Sequence, residues 1–147
     1  MINRILVTSD GSAASNRAVG LAANMAVKHD ASLYLLNVIR EMQLPPELKK
    51  MARVENIGEA RQDVLDFVAE KILGDAERRA KSKGAKQVRK ATSHGDPATA
   101  IARYAQRNKI DLIVMGTRGL GNVKGMLMGS VSRKVANACN VNLLLVR

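Results

Sequence analysis

Short, uninterrupted apolar runs alternate with longer stretches of helical periodicity along this chain. The first run, Ile5-Leu6-Val7, precedes a segment whose apolar residues recur at helical spacing, and a second run begins at Leu33. A strand exposed on one face would alternate apolar and polar residues, whereas an unbroken apolar run is typical of a strand covered on both faces. The pattern therefore predicts a parallel sheet with helices on both sides.

The rest of the chain extends this pattern to five strands. We predict strands at residues 5–8, 33–39, 87–92, 110–115 and 143–146, and the third is the most polar of them. Helices are predicted from Ala18 to about His29, over the periodic segment 48–73, after Pro97, and over 130–138. The chain of 147 residues shows no internal repeat, so we expect a single α/β domain, 1–147, with a doubly wound, five-stranded parallel sheet of order 3-2-1-4-5.

The net charge of +11 is concentrated in the second half of the chain. Residues 1–40 carry +2, residues 41–70 carry −3 and residues 71–147 carry +12. The densest group comprises Arg78, Arg79, Lys81, Lys83, Lys86, Arg89 and Lys90. Cations at the end of a helix complement its dipole, which makes a solvated face one interpretation. Binding of an anion, such as a nucleotide or a nucleic acid, is the other.

Several function classes are not expected. The chain contains no apolar run of membrane-spanning length, and its single cysteine, Cys139, cannot form an internal disulfide, so we expect a cytoplasmic protein. His29 and His94 lack other ligands at zinc-site spacing. Phosphoryl transfer would require a lysine and a positioned base that the sequence does not display, so at most slow ATP hydrolysis is expected.

A glycine-rich segment follows the fourth predicted strand. Glycines let the backbone approach a ligand closely, so that successive N–H groups can point at a phosphate, and the helix that follows adds its positive N-terminal end. Arg118 and Lys124 are candidates to pair with phosphates, and solvent exposure is the alternative for both. The glycines are Gly116, Gly119, Gly121, Gly125 and Gly129.

Asp10 stands directly after the first strand, at the sheet edge where the glycine-rich segment begins. The strand order 3-2-1-4-5 would bring Asp10, the backbone near Val38 and the glycine-rich segment to one crevice. A carboxylate there can accept hydrogen bonds from an exocyclic amine or a ribose hydroxyl. The alternative is that Asp10 caps the first helix, with Ser12 as the competing cap.

The complete glycine pattern resembles a known signature. Gly116-x-x-Gly119, nine further residues and then Gly129-Ser130 are similar to the nucleotide-binding signature of the universal stress protein family. The resemblance covers the whole chain, because residues 5–12, 35–38, 95–97 and 111–116 look like the family's opening strand and turn, second strand, third helix start and fourth strand.

The resemblance implies that the ligand is ATP, with Mg²⁺, and that the protein has a regulatory or stress-response role. In the family's ATP-binding branch the position of Asp10 contacts the adenosine, and the backbone at Val38 reads the adenine edge. By the same resemblance, ribose and phosphates are held by Gly116, Gly119, Gly129 and Ser130, helped by Val131 and Ser132. The predicted site residues are Thr8, Ser9, Asp10, Val38, Met115, Gly116, Arg118, Gly119, Gly129, Ser130, Val131 and Ser132.

Two positions depart from the family pattern. Thr8 stands where members often have proline or alanine, and Asn142 stands where a proline commonly precedes the last strand. Because family members often dimerise through that strand, the resemblance implies a homodimer whose geometry Asn142 leaves open. A basic module that binds nucleic acid and a slow ATP hydrolase remain the alternative functions, although three aromatic residues offer few surfaces for stacking bases.

Overall fold

The fold is described from a computed structural model of the chain. It describes residues 1–40, 46, 47, 50, 57–117 and 128–147, and only the backbone of residues 57–60. In that part of the chain no helix is both long enough and apolar enough to cross a membrane.

The described residues form five strands and four long helices that alternate along the chain, and residues 46, 47 and 50 are also helical. The strands make one parallel sheet of order β3-β2-β1-β4-β5, which confirms the predicted fold class and strand order. The elements are β1 (Arg4–Thr8), α1 (Ala13–His29), β2 (Ser32–Ile39), α2 (Ile57–Ser82), β3 (Val88–His94), α3 (Pro97–Arg107), β4 (Leu112–Gly116), α4 (Ser130–Ala138) and β5 (Asn142–Val146).

The core lies in two layers, one on each face of the sheet. Successive residues of β1 supply both layers: Ile5 and Val7 pack against α1 and α2, whereas Leu6 packs against α3 and α4. All three side chains are fully buried, and burying an aliphatic side chain of this size stabilises the fold by roughly 1.5–3 kcal/mol. This coverage of both faces explains the unbroken apolar runs in the sequence.

Helix ends are defined by local side-chain chemistry. The Ser12 hydroxyl accepts a hydrogen bond from the Ser15 N–H at 3.2 Å and caps α1, which ends at Asp30 in the left-handed conformation. Asp96 caps α3 by accepting from the Thr99 N–H at 3.0 Å, and Pro97 occupies the first helical turn.

The third strand is longer than predicted. It continues to His94 and pairs with β2 along its whole length, from Leu33 opposite Val88 to Ile39 opposite His94. Because β3 lies at an edge of the sheet, four of its seven side chains are exposed and none is fully buried, which explains its polar sequence.

Candidate functional site

The carboxyl ends of β1 and β4 define a crevice at the centre of one sheet edge. β1 and β4 are neighbours, but the chain leaves them for opposite faces, because α1 packs on one face and α4 on the other. This is the switch point at which ligands bind in doubly wound sheets. The predicted site residues that the structure describes all lie at or beside the ends of β1, β2 and β4.

Asp10 is not the cap of α1. Its Oδ1 accepts a hydrogen bond from the Ser12 N–H at 2.9 Å, while the Ser12 hydroxyl caps the helix. The Asp10 side chain is half-buried, and its second oxygen, Oδ2, makes no hydrogen bond within the described residues. The sequence left open whether Asp10 or Ser12 caps α1, and the structure shows that Ser12 does. The Asp10 carboxylate can therefore still accept hydrogen bonds from a ligand in the crevice.

Ser9 and Asn37 extend β1 by one residue beyond its last ladder pair. The Ser9 N–H donates to the Leu36 carbonyl at 2.9 Å, and the Asn37 Nδ2 donates to the Ser9 carbonyl at 2.7 Å. Asn37 is 7 % exposed, and its buried amide holds the backbone of Ser9, the residue before Asp10, in place. Sequence reasoning did not single out Asn37, although a lone amide inside an apolar strand was the available signal.

The Ser9 hydroxyl is buried without a partner. Ser9 is 3 % exposed, and its Oγ makes no hydrogen bond within the part of the chain that the structure describes. A buried hydroxyl left unpaired is costly, so such groups in native proteins usually meet water or a ligand. A polar ligand atom at the end of β1 would satisfy it.

The backbone of Val38 faces the crevice. Alternate residues of β2 direct their N–H and C=O groups to opposite neighbours: the Leu36 carbonyl accepts from Ser9 on the β1 side, and the Ile39 carbonyl accepts from Gly95 on the β3 side. By the same alternation Val38 directs both groups toward β1, beyond the last pair between Thr8 and Leu36. An adjacent donor and acceptor suit the edge of a purine base.

Gly116 brings the first turn of α1 against the end of β4. A Cβ at this position would lie 2.9 Å from the Ala14 Cβ and 3.0 Å from the Ser15 backbone nitrogen. Only glycine fits so close an approach without movement of the helix. The sequence suggested Gly116 as a ligand contact, and the structure gives it a packing role that sets the width of the crevice.

Thr117 and Gly129 bring the start of α4 to the end of β4. The Gly129 N–H donates to the Thr117 carbonyl at 2.7 Å, and the Thr117 N–H donates to the Val146 carbonyl of β5 at 2.8 Å. The Ser132 hydroxyl donates to the Gly116 carbonyl at 3.2 Å. Thr117 was not among the predicted site residues, although its place directly after the fourth strand was a signal.

The first turn of α4 is a fitting anion site. The N–H groups of its first three residues, Ser130, Val131 and Ser132, have no acceptor within the helix, and the N-cap residue Gly129 has no side chain with which to cap them. These N–H groups and the positive end of the helix dipole favour a phosphate at this position.

Other predicted residues turn their side chains inward. Met115 is 4 % exposed and belongs to the core layer beneath α3 and α4, against which Val131 also packs. Thr8 is half-buried beside Leu36.

Arg118 and Gly119, like Lys124, lie outside the described residues. Among the residues that the structure does describe, no three His, Cys, Asp or Glu side chains group closely enough to hold a metal ion.

Cations flank the same edge of the sheet. Hydrogen bonds from the Thr99 N–H and hydroxyl hold the pKa of Asp96 below its ordinary value, and the positive charges of Lys134 and Arg40 lower that pKa further. Lys134 belongs to α4, and Arg40 follows β2. Both therefore add positive potential near the start of α4 and the end of β2.

Comparisons with known proteins agree on one family. A sequence model of the universal stress protein family matches residues 1–147. The universal stress protein YxiE of Bacillus subtilis is 35 % identical over 150 residues, which cover 100 % of both chains.

Solved structures lead to the same family. The universal stress protein UspA from Lactobacillus plantarum is 28 % identical, with a TM-score of 0.80 over 99 % of this chain and 98 % of that one. A universal stress protein solved in complex with cAMP is also 28 % identical, with a TM-score of 0.70 over 99 % of this chain and 97 % of that one.

Proposed function

This chain belongs to the universal stress protein family, and we propose that it binds an adenine nucleotide, specifically ATP with Mg²⁺, in the crevice between the ends of β1 and β4. The observation that carries the proposal is the convergence of three complementary groups at that crevice. They are the Asp10 carboxylate, the inward-facing backbone of Val38 and the uncapped first turn of α4. The relative solved with cAMP supports an adenine nucleotide as the ligand class.

Each group suits one part of the nucleotide. The N–H and C=O groups of Val38 form a donor–acceptor pair for the adenine edge. The Asp10 oxygen that no described residue hydrogen-bonds accepts from the adenosine. The N–H groups of Ser130 and its two successors receive phosphate oxygens. The Ser9 hydroxyl, which has no partner among the described residues, supports a polar ligand atom at the end of β1.

These groups are compatible with Mg²⁺ bound together with the phosphates. Mg²⁺ prefers oxygen ligands, keeps several waters and is commonly held by substrate phosphates with one or two protein oxygens. It would neutralise phosphate charge, while the chain itself positions the phosphates through the first turn of α4. The site therefore does not need a dedicated metal cage.

Binding rather than turnover is the proposed role. Nucleotide occupancy would act as a signal in a regulatory or stress response, with slow hydrolysis as the alternative. We also propose that the bound nucleotide orders the segment from Gly116 to Ser130 and so changes a surface presented to partners. Residues 118–127 of that segment lie outside the described residues, and this part of the proposal stays a prediction.

A homodimer through β5 is part of the proposal. β5 is an edge strand whose residues Leu143 to Val146 are partly buried and apolar, whereas the opposite edge strand, β3, exposes Arg89 and Lys90. Charged side chains on an edge strand oppose pairing with another chain, and an apolar edge favours it. The contrast supports β5 as the edge that pairs with a second copy.

The first experiment identifies the bound ligand. Acid denaturation of freshly purified protein, followed by mass spectrometry, is expected to release ATP or another adenine nucleotide. Calorimetry on the emptied protein would then compare ATP with Mg²⁺, ATP alone, cAMP and GTP. Preference for GTP, or no binding of any nucleotide, would overturn the proposal, and phosphate release in the same samples tests the hydrolase alternative.

Asp10→Ala is the variant that tests the site. Loss of a charge-assisted hydrogen bond of roughly 1.5–3 kcal/mol predicts about a 10- to 150-fold loss of affinity. Asp75→Ala is the matched control, because Asp75 pairs only with exposed Arg78 on α2 among the described residues. If Asp10→Ala and Asp75→Ala changed nucleotide affinity equally, the adenosine would not bind at Asp10.

A further inference from the structure

The edge of the sheet opposite the crevice gathers the turns that precede the strands. Parallel strands all begin at one edge, and hydrogen bonds join neighbouring segments there. The Ser32 N–H donates to the Asn3 carbonyl at 2.9 Å, and the Leu33 N–H donates to the Gln87 carbonyl at 2.8 Å. On the other side of β1, the Asp111 N–H donates to the Arg4 carbonyl at 3.0 Å. The turn after α2, the turn after α1, the N-terminal residues and the turn after α3 therefore follow one another along this edge, although they are far apart in sequence.

Exposed cations accumulate at this amino edge. They come from the last turns of three helices and from the turns that follow, and all of their side chains are exposed. We call them the amino-edge cations: Lys28, Lys81, Lys83, Lys86, Arg107 and Lys109.

Few acidic groups offset these charges. Asp30 is exposed at the same edge, and Lys81 lies 3.7 Å from Glu77. The carboxylate of Asp111 is engaged by the backbone N–H groups of Asn3 and Arg4, both at 2.9 Å. The six amino-edge cations therefore exceed the nearby acidic charge.

Helix dipoles account for only part of the excess. A helix C-terminus carries about −0.5 of an elementary charge, so the ends of α1, α2 and α3 contribute about −1.5 together. Together with the carboxylates of Asp30, Glu77 and Asp111, this leaves the six amino-edge cations with an excess of about 1.5 positive charges. Compensation of helix ends, the simpler interpretation of the charge pattern, therefore does not explain all of it.

The distribution of the amino-edge cations fits an extended anion. α1 and α2 cover one face of the sheet and α3 covers the other, so the cations span both helix layers instead of converging on one point. A single phosphate would be held by convergent donors. A duplex, in contrast, presents one negative charge per roughly 1.7 Å of its axis along an extended surface.

We propose that the amino-edge cations form a docking surface for double-stranded nucleic acid, which they contact through its phosphates without reading base sequence. The chain has no tryptophan, two tyrosines and one phenylalanine, so it offers few stacking surfaces for single strands. The docking surface lies at the edge opposite the candidate nucleotide crevice, so both ligands can bind to one molecule.

The test is fluorescence anisotropy with a labelled duplex of mixed sequence over a series of salt concentrations. If six phosphates are contacted, affinity should fall roughly 1,000-fold between about 50 and 200 mM salt. The triple variant Lys28→Gln, Lys83→Gln, Lys86→Gln should reduce the slope of log affinity against log salt by about 2.7. A matched triple, Arg40→Gln, Lys71→Gln, Lys134→Gln, removes three exposed cations nearer the opposite edge and should leave the slope unchanged.

Nucleotide affinity serves as the control for folding, because the amino-edge variant should retain it. The proposal is overturned if the salt dependence is flat, if both triple variants lose equal affinity, or if single strands bind more tightly than the duplex. Binding to anionic lipid vesicles or to polyglutamate with no binding to the duplex would also overturn it.

Discussion

Gly116 in β4 lies directly against Ala14 in the first turn of α1. A Cβ at position 116 would stand 2.9 Å from the Ala14 Cβ and 3.0 Å from the Ala14 carbonyl carbon. Because the obstacle is partly backbone, Gly116→Ala should force α1 away from β4. We expect the free energy of unfolding to fall by roughly 1–3 kcal/mol, as in other overpacked cores. Denaturant titration measures the loss, and calorimetry should show weaker nucleotide binding.

Gly20→Ala is the control for that substitution. Gly20 lies inside α1, and a Cβ there would meet no atom within 4 Å. Alanine in a helix interior is favoured over glycine, so this variant should gain roughly 0.5–1 kcal/mol. If the two variants changed stability alike, the close approach of β4 and α1 would not be what requires glycine at position 116.

Asn37→Leu should weaken both the fold and the crevice. Asn37 is buried and donates to the Ser9 carbonyl at 2.7 Å, so leucine would leave that carbonyl unpaired. An unpaired buried acceptor costs roughly 1–3 kcal/mol of unfolding free energy. Nucleotide affinity should also fall at temperatures where the variant is fully folded, because Ser9 and Asp10 would no longer be fixed.

Asn24→Leu provides the comparison, because Asn24 is exposed on α1. Asn24→Leu should leave the free energy of unfolding and the nucleotide affinity nearly unchanged. An Asn37→Leu variant that lost stability but bound nucleotide with full affinity would limit Asn37 to a purely structural role.

Periodicity was sufficient to predict the sheet. Both faces of each central strand are covered, so an unbroken apolar run such as Leu33 to Leu36 is enough to predict a buried strand. Four such runs and one more polar strand, with helices between them, leave few topologies. The placement of Asp10 at the central crevice follows from that topology. Its relation to Ser12 does not, because both residues are good caps and only the backbone path decides between them.

Helix faces were harder to assign from sequence. Leu21 recurs at helical spacing with Ala18 and Ala22, yet it is 39 % exposed while both alanines are fully buried. Small residues occupy the core-facing side of α1 because the helix packs closely against the sheet. The spacing of apolar residues does not reveal that this side needs small side chains.

Much of α2 is exposed for a geometric reason. Val64 and Val68 lie in the predicted periodic segment, but they are 61 % and 46 % exposed. The 26 residues of α2 span roughly 39 Å, whereas the seven residues of β3 span roughly 23 Å. The helix is therefore longer than the sheet it covers, and among residues 61–82, whose side chains are described, the first buried one is Ala69.

The cap of α3 should make stability depend on pH. Hydrogen bonds from Thr99 lower the pKa of Asp96 from its ordinary value of 3.8, so the folded protein binds this proton less readily than the unfolded chain. The contribution of Asp96 is complete above that ordinary value and is lost as the pH falls through the lowered pKa. Asp96→Asn should flatten the acid limb of a curve of melting temperature against pH, whereas Asp63→Asn, at an exposed position of α2, should not. Parallel acid limbs in wild type and Asp96→Asn would contradict this.

The outer edge of β5 should hold the second copy. The Val146 carbonyl accepts from Thr117, so Val146 and Leu144 direct their backbone groups toward β4, and Leu145 directs its N–H outward. Leu145→Pro removes that outward donor without removing a bond between β4 and β5, and edge strands tolerate proline at such positions. We expect light scattering to show a dimer for the wild type, a monomer for Leu145→Pro and a dimer for Leu145→Ala, which keeps the N–H. A dimer that survived the proline would have to form through another surface.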